Sequence, residues 1–270
     1  MSGASETVQH SSTIHRPTLV AIALVSYVIA DIVHEALGHG GACLLSGGKA
    51  VALSTVHFEC SISTRFISAA GTCANLIAGG LCWTLLRILS RGPDRLRYFL
   101  WLSMTVNLLQ GAGYFLFSGA ANIGDWTAFI SGFEPFWAWR IGLAVTGAIA
   151  YMLAVKVALL EMRPLAGSDR THRVRNAVRL TVVPYLAGGI LSCIAGLFNP
   201  VGMLLVAISA AAASFGGTSG LAWMAQIYQG NWIPPGRTAA PISIGRSLVW
   251  IGGGAVLAVL FVVVLGRGLH

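Results

Sequence analysis

The chain has 270 residues, of which 56% are hydrophobic and only 10% charged, against roughly 25% charged in soluble domains, and its mean hydropathy is +0.75. These values exclude a soluble globular domain and point to an integral membrane protein. The net charge of +8 does not argue for nucleic acid, because the basic residues lie between apolar runs, where they set membrane topology.

The apolar runs are hydrophobic on all sides, which excludes the alternating pattern of a membrane barrel. A spanning helix needs about 20 apolar residues. The expected fold is an all-α polytopic membrane protein with about seven transmembrane helices, at about 18–45, 63–90, 97–118, 135–160, 177–198, 200–224 and 246–266. Residues 1–17 are expected to be flexible. The first run lacks a small-residue cleavage context and reads as a retained span, not a signal peptide. The fifth and sixth runs abut at "LFNPVG", residues 197–202, and Pro184 is placed to kink the fifth. Residues 225–245, with paired prolines, read as a loop. No internal repeat is visible.

Of the 17 basic residues, all but Lys49, Arg65, Arg140 and Arg267 fall on one side of this arrangement. The positive-inside rule then places the N-terminus in the cytoplasm. On the opposite side lie the end of the first span, the start of the second, "AAGTCANLIAGG" (69–80), and the exit of the third, "SGAANIGDW" (118–126).

The first span ends in "DIVHEALGHGG", residues 31–41. Ionisable residues inside a membrane are costly and functional by default. His34 and His39 are metal-ligand candidates, and Glu35 is a candidate general base that takes a proton from water activated by the metal. Hydrolytic zinc helices usually space their histidines four apart. Here they are five apart, about 500° of a regular helix, which splays the rings. A π-bulge restores one face, and Gly38, Gly40 and Gly41 give the backbone freedom for it. A hydrolytic zinc centre needs a third protein ligand and an open position. Asp125 is the first choice; His57, Glu59 and Glu134 compete, and Asp125 as a helix cap is the plain alternative. Asn75 sits in a run of small residues and is either a packing residue or a group that holds the substrate near the metal.

These motifs resemble the site-2 protease family of intramembrane zinc metallopeptidases. "HEALGH", the stretch "SGGKAVALSTVHFEC" (46–60) and "AAGTCAN" follow that family's order of zinc helix, glycine turn with a short strand, and a helix with a "GPLAN"-like motif. Gly71 and Asn75 match its glycine and asparagine, and Thr72 stands where it has proline. Asp125 matches the family's later aspartate ligand in order, without the usual Asn-x-x-Pro lead-in. The five-residue histidine spacing is similar to the "HELLGHG" helix of dipeptidyl-peptidase III enzymes. The resemblance covers about residues 20–160. It implies one zinc per chain held by His34, His39 and Asp125, with Glu35 and Asn75 catalytic, and a membrane protein or peptide substrate.

On this reading residues 18–160 form a metallopeptidase-like membrane core with a short strand-like segment after the first helix. Residues 161–179 form a basic cytoplasmic loop suited to anionic lipid, and 180–270 add further membrane helices. The metal site faces the non-cytoplasmic side. The alternatives are a metal-dependent enzyme acting on a lipid or small molecule, an ion or solute transporter, and an inactive scaffold. Cys43 and Cys60 can form a disulfide in an oxidising compartment; they can also be small buried residues, or Cys60 can assist the metal. Trp126, Trp137 and Trp139 fit an interfacial belt. Arg140 either snorkels to the interface or pairs with Glu134.

Overall fold

The computed structural model of the chain describes residues 13–167, 170–199, 207–229 and 242–269. Helix α1 runs from Arg16 to Leu45. It starts where His15 accepts a hydrogen bond from the Thr18 amide, with Pro17 in the first turn, where a missing N–H costs nothing. A hairpin of β1 (Ala50–Leu53) and β2 (Phe58–Cys60) follows, antiparallel, with Leu53 opposite Phe58 and Ala50 opposite Cys60. Helix α2 (Arg65–Ile88) is capped by Thr64. Helix α3 is Asp94–Ala121, α4 the short Asp125–Ile130, and α5 Phe136–Ala166. Helix α6 (Arg170–Leu197) passes through Pro184. Then come α7 (Ala207–Gly216), which has π-helical geometry, α8 (Gly220–Gln229) and α9 (Leu248–Leu265).

Five of these helices, α1, α2, α5, α6 and α9, are long and apolar enough to cross a membrane. The chain is a helical membrane protein, and five of the seven expected spans meet these limits among the described residues. The third expected span is α3, long enough but too polar by composition, with Asn107, Gln110 and Tyr114 along it. Its polarity is explained by its place between α2 and α5, where neighbours satisfy it. Trp101 donates to the Ala158 carbonyl at 2.9 Å, Tyr98 to the Leu180 carbonyl at 2.9 Å, and Ser103 to Ser26 at 3.1 Å. Buried polar groups paired in this way cost little, and packing supplies what hydrophobicity cannot supply between helices in lipid. In place of the sixth expected span stand α7 and α8, joined at residues 217–219; residues 200–206 lie outside the described ones.

Three loop expectations need correction. Residues 161–179 are mostly helical: α5 continues to Ala166 and α6 begins at Arg170. The arginines at 173, 175 and 179 therefore sit on a helix, not in a loop. The 225–245 loop starts later than expected, because α8 runs to Gln229; residues 230–241 lie outside the described ones. Within the flexible stretch 1–17, residues 1–12 lie outside the described ones, but Ile14 pairs with Ile244 and the helix starts at Arg16. Helix α9 lies against α1, with much of its surface outward: Val249, Val256 and Val259 are all exposed. Outward valines suit lipid tails.

Candidate metal centre

The distortion expected in α1 is present and longer than one bulge. Residues Val33–Gly40 are π-helical, between regular α-helix at Arg16–Ile32 and at Gly41–Leu45. A π-helix closes its hydrogen bonds over five residues. Residues i and i+5 then share a face, so His34 and His39 do. Their Nε2 atoms lie 3.3 Å apart.

Asp125 meets them from across the bundle. Its Oδ2 lies 3.1 Å from His34 Nε2 and 3.3 Å from His39 Nε2. Helix α4 delivers it: Gly124, at φ +93°, turns the chain in a conformation that favours glycine, and Asp125 opens the helix behind it. The Asp125 carboxylate is directed at the two histidines. Arg65 of α2 ties this segment down, donating to the carbonyls of Phe129 at 3.0 Å and Ser131 at 2.9 Å. Trp126 stacks on Phe115, so it packs inward, while Trp137 and Trp139 are exposed as a belt requires.

The other ring nitrogens fix the tautomers. His39 Nδ1 donates to the Ile67 carbonyl at 2.7 Å. His34 Nδ1 donates to Asn75 Oδ1 at 2.6 Å. Asn75 in turn donates to the Ala30 carbonyl at 3.0 Å and to Asn107 Oδ1 at 2.8 Å. With both Nδ1–H groups committed, two imidazole lone pairs and a carboxylate oxygen face one another. Such crowding of acceptors is what a bound cation relieves, and partners on the second nitrogen are the usual support of a ligating histidine. Burial opposes charge on Asp125, but positive charge at that position outweighs it: with the facing histidines protonated, its carboxyl lies below the ordinary carboxylate range. Among the described residues, His34, His39 and Asp125 are the group whose donor atoms come close enough to hold a metal ion, all within 4.8 Å of one another.

Gly71 makes room for that ion. A Cβ there would lie 2.5 Å from His39 Nε2 and 2.7 Å from His34 Nε2, in the space where the ligands converge. Gly38 lets the two helices approach: a Cβ on it would lie 2.6 Å from Gly71 Cα.

Glu35 is buried and lines a cavity of about 950 Å³ together with His39 and Asp125. The hairpin forms one wall through residues 56–60, and Phe117, Met152 and Trp223 line others. Asn75 does not line it, and both its N–H groups and its oxygen are engaged. Its amide group thus joins His34 to α1 and α3. His57 and Glu59 line the cavity without joining the metal group. Glu134 accepts a hydrogen bond from the Phe136 amide instead. Arg140 does not pair with Glu134; it donates to the carbonyls of Gly119 and Ala120 at the end of α3. Cys43 and Cys60 are joined in a disulfide, linking the end of α1 to β2, so Cys60 is not a metal ligand.

Sequence reasoning missed Asn107, which holds Asn75, and Tyr114, whose ring stacks on His34 at 4.4 Å. Both are polar residues on α3, within a stretch expected to span the membrane, a signal of an inward polar face. It also passed over Asp31, one turn before Glu35. No family model, curated protein or solved structure matches the chain, so the geometry alone carries the functional argument.

Proposed function

We propose that the chain is a membrane-embedded zinc-dependent peptidase acting on membrane or membrane-adjacent polypeptides. The observation that carries this reading is the convergence of His34, His39 and Asp125, two of which, His39 and Asp125, line one cavity with Glu35. Two imidazoles and a carboxylate are a hydrolytic zinc ligand set that leaves a position open. The same donors serve ferrous iron; a carboxylate base beside them is what hydrolysis needs. When bound, zinc supplies a Lewis acid for the attacked carbonyl and its water. Glu35 accepts the proton of the attacking water and delivers it to the departing amine. Asn75 and the Ile67 carbonyl hold the imidazoles in the tautomer that presents Nε2.

A peptide substrate is supported by the hairpin. Among the described residues β2 pairs only with β1, and residues of β2 line the cavity. An extended chain can add to such an edge through backbone hydrogen bonds. Helical amides are blocked by their own hydrogen bonds, so the substrate has to be extended where it is cut. A lipid or small-molecule substrate is the second reading, favoured by Met152, an apolar side chain that lines the cavity and is more than half exposed.

The same proposal places the metal centre on the non-cytoplasmic side and the start of α6 in the cytoplasm, with its exposed Arg175 next to anionic lipid. The basic residues support this through the positive-inside rule. The Cys43–Cys60 disulfide adds support, because disulfides persist in oxidising compartments.

The test is Glu35→Gln in cells, with metal content measured on the purified protein. The expected result is full metal retention and accumulation of an uncut membrane protein. Accumulation of a lipid instead selects the second reading. A metal-loaded wild type that changes neither class ends the hydrolase reading.

A further inference from the structure

The lining of the large cavity is divided by chemistry. Its carboxylates and histidines all come from α1, the hairpin and the start of α4. The lining from α7 is different: Ala212, Ala213 and Gly216, small and without a polar side chain. Met152 of α5 and Trp223 of α8 add larger apolar surface.

The α7 wall is tied closely to the metal centre. A Cβ on Gly113 of α3 would lie 3.2 Å from the Cα of Gly217, the residue that follows α7. The next residue of α3, Tyr114, stacks on His34 with ring centroids 4.4 Å apart. Two adjacent residues of α3 thus bridge the end of α7 and a metal-ligand candidate. Successive Cα atoms of a polypeptide are 3.8 Å apart. A residue one or two positions from a bond held at the metal therefore comes level with this wall.

Gly216 leaves the wall open. Of the glycines that line the cavity, Gly113, Gly124 and Gly217 have atoms within 4 Å of where a Cβ would stand; Gly216 has none among the described residues. Its φ does not lie in the left-handed region either. Neither close packing nor backbone conformation asks for glycine here, and glycine in a helix costs stability relative to alanine. What the missing side chain provides is cavity space.

We propose that this space is a subsite for a large apolar side chain, the size of leucine or phenylalanine, close to the bond that is cut, and that Gly216 sets its size limit. The proposal rests on the peptidase reading above and narrows its substrates. A polar residue at the α7 wall would give up water without a side-chain partner there, whereas an apolar one gains by leaving water.

The probes are four N-acyl amino-acid hydroxamates that differ only in side chain: those of glycine, alanine, leucine and phenylalanine. The hydroxamate chelates zinc and so presents each side chain from the same anchor. Affinity is measured by calorimetric titration of the purified, zinc-loaded chain in detergent. The expected result is an affinity that rises from the glycine to the phenylalanine probe by about 10–100-fold, as burial of such a side chain should give. Gly216→Leu, with one zinc still bound per chain, abolishes the rise. Gly216→Ala weakens the phenylalanine probe more than the leucine probe, and it decides if Gly216→Leu does not fold. Wild type that binds all four probes equally overturns the subsite and leaves the zinc centre standing. A rise that survives both variants unchanged also overturns it. Failure of the wild type to take up zinc, or of the glycine probe to bind the loaded chain, ends the peptidase reading, and the subsite falls with it.

Discussion

Helix α1 contains two helices of different period. From Arg16 to Ile32 it is a regular α-helix whose inward residues, Leu19, Ile22, Ala23 and Tyr27, pack into the main core. From Val33 to Gly40 it is a π-helix whose inward residues are His34, Glu35 and His39. The first stretch is arranged for contact area and the second for the direction of three polar side chains. The π geometry is rare, and such segments gather at functional sites. The comparison teaches that the metal centre is set by backbone period as much as by ligand identity.

Substitutions can break this contrast, and the largest effects fall in the π segment and the residues facing it. Replacing both His34 and His39 by alanine should abolish zinc binding, read by metal analysis of purified protein. Gly71→Ala should come close to that effect with every ligand retained, because its methyl would occupy the space between the two Nε2 atoms. Full zinc content in Gly71→Ala would mean that the metal lies elsewhere. Next, Glu35→Gln should lower turnover by about 10²–10⁴-fold with zinc still bound, the usual contribution of a general base. Asn75→Ala should weaken zinc by about 10–100-fold, as loss of a histidine's supporting partner does; competition with a chelator would measure it.

Two further changes sharpen the comparison. Deleting Leu37, which is 65% exposed, removes one residue from the π segment and sets the histidines four apart. If the period is what aligns them, the helix should become regular and zinc content should stay at one per chain. Loss of zinc would show that the segment's other contacts matter more. In the regular stretch, Tyr27→Phe breaks the 2.7 Å hydrogen bond to Thr218. It should cost only about 0.6 kcal/mol, the typical value for such bonds in membrane bundles, and leave zinc affinity unchanged.

Much of this centre is legible in the sequence. The five-residue spacing of His34 and His39 demands a distorted helix, because a regular one cannot face both rings the same way. Asp125 is legible because a carboxylate in an uncharged stretch between apolar segments has few other uses. Asn75 is legible as important but not in its role. One amide can serve a substrate or a histidine, and its contacts with Ala30 and Asn107 are visible only in the fold. The arginine-rich segment reads as a loop because charge resembles solvent exposure. A helix end that emerges from a bilayer carries the same composition, and here α6 starts at Arg170. Helix α3 defeats hydropathy for the opposite reason: its polar groups are paired inside the bundle, and composition does not register partners. The glycine at 71 is unreadable before the fold, since its meaning is a distance to two residues more than 30 positions away.

The pairing of Leu53 with Leu269, and of Thr55 with Leu265, has a consequence for biosynthesis. Chains emerge from the ribosome N-terminus first, at about 5–20 residues per second. His34, His39 and Asp125 are all made before half the chain is complete. Strand β1, by contrast, must wait with an open edge until residues 265–269 arrive. An open edge invites pairing with other strands. The metal centre can therefore be loaded early, while the hairpin beside it is the last part of the site to be closed.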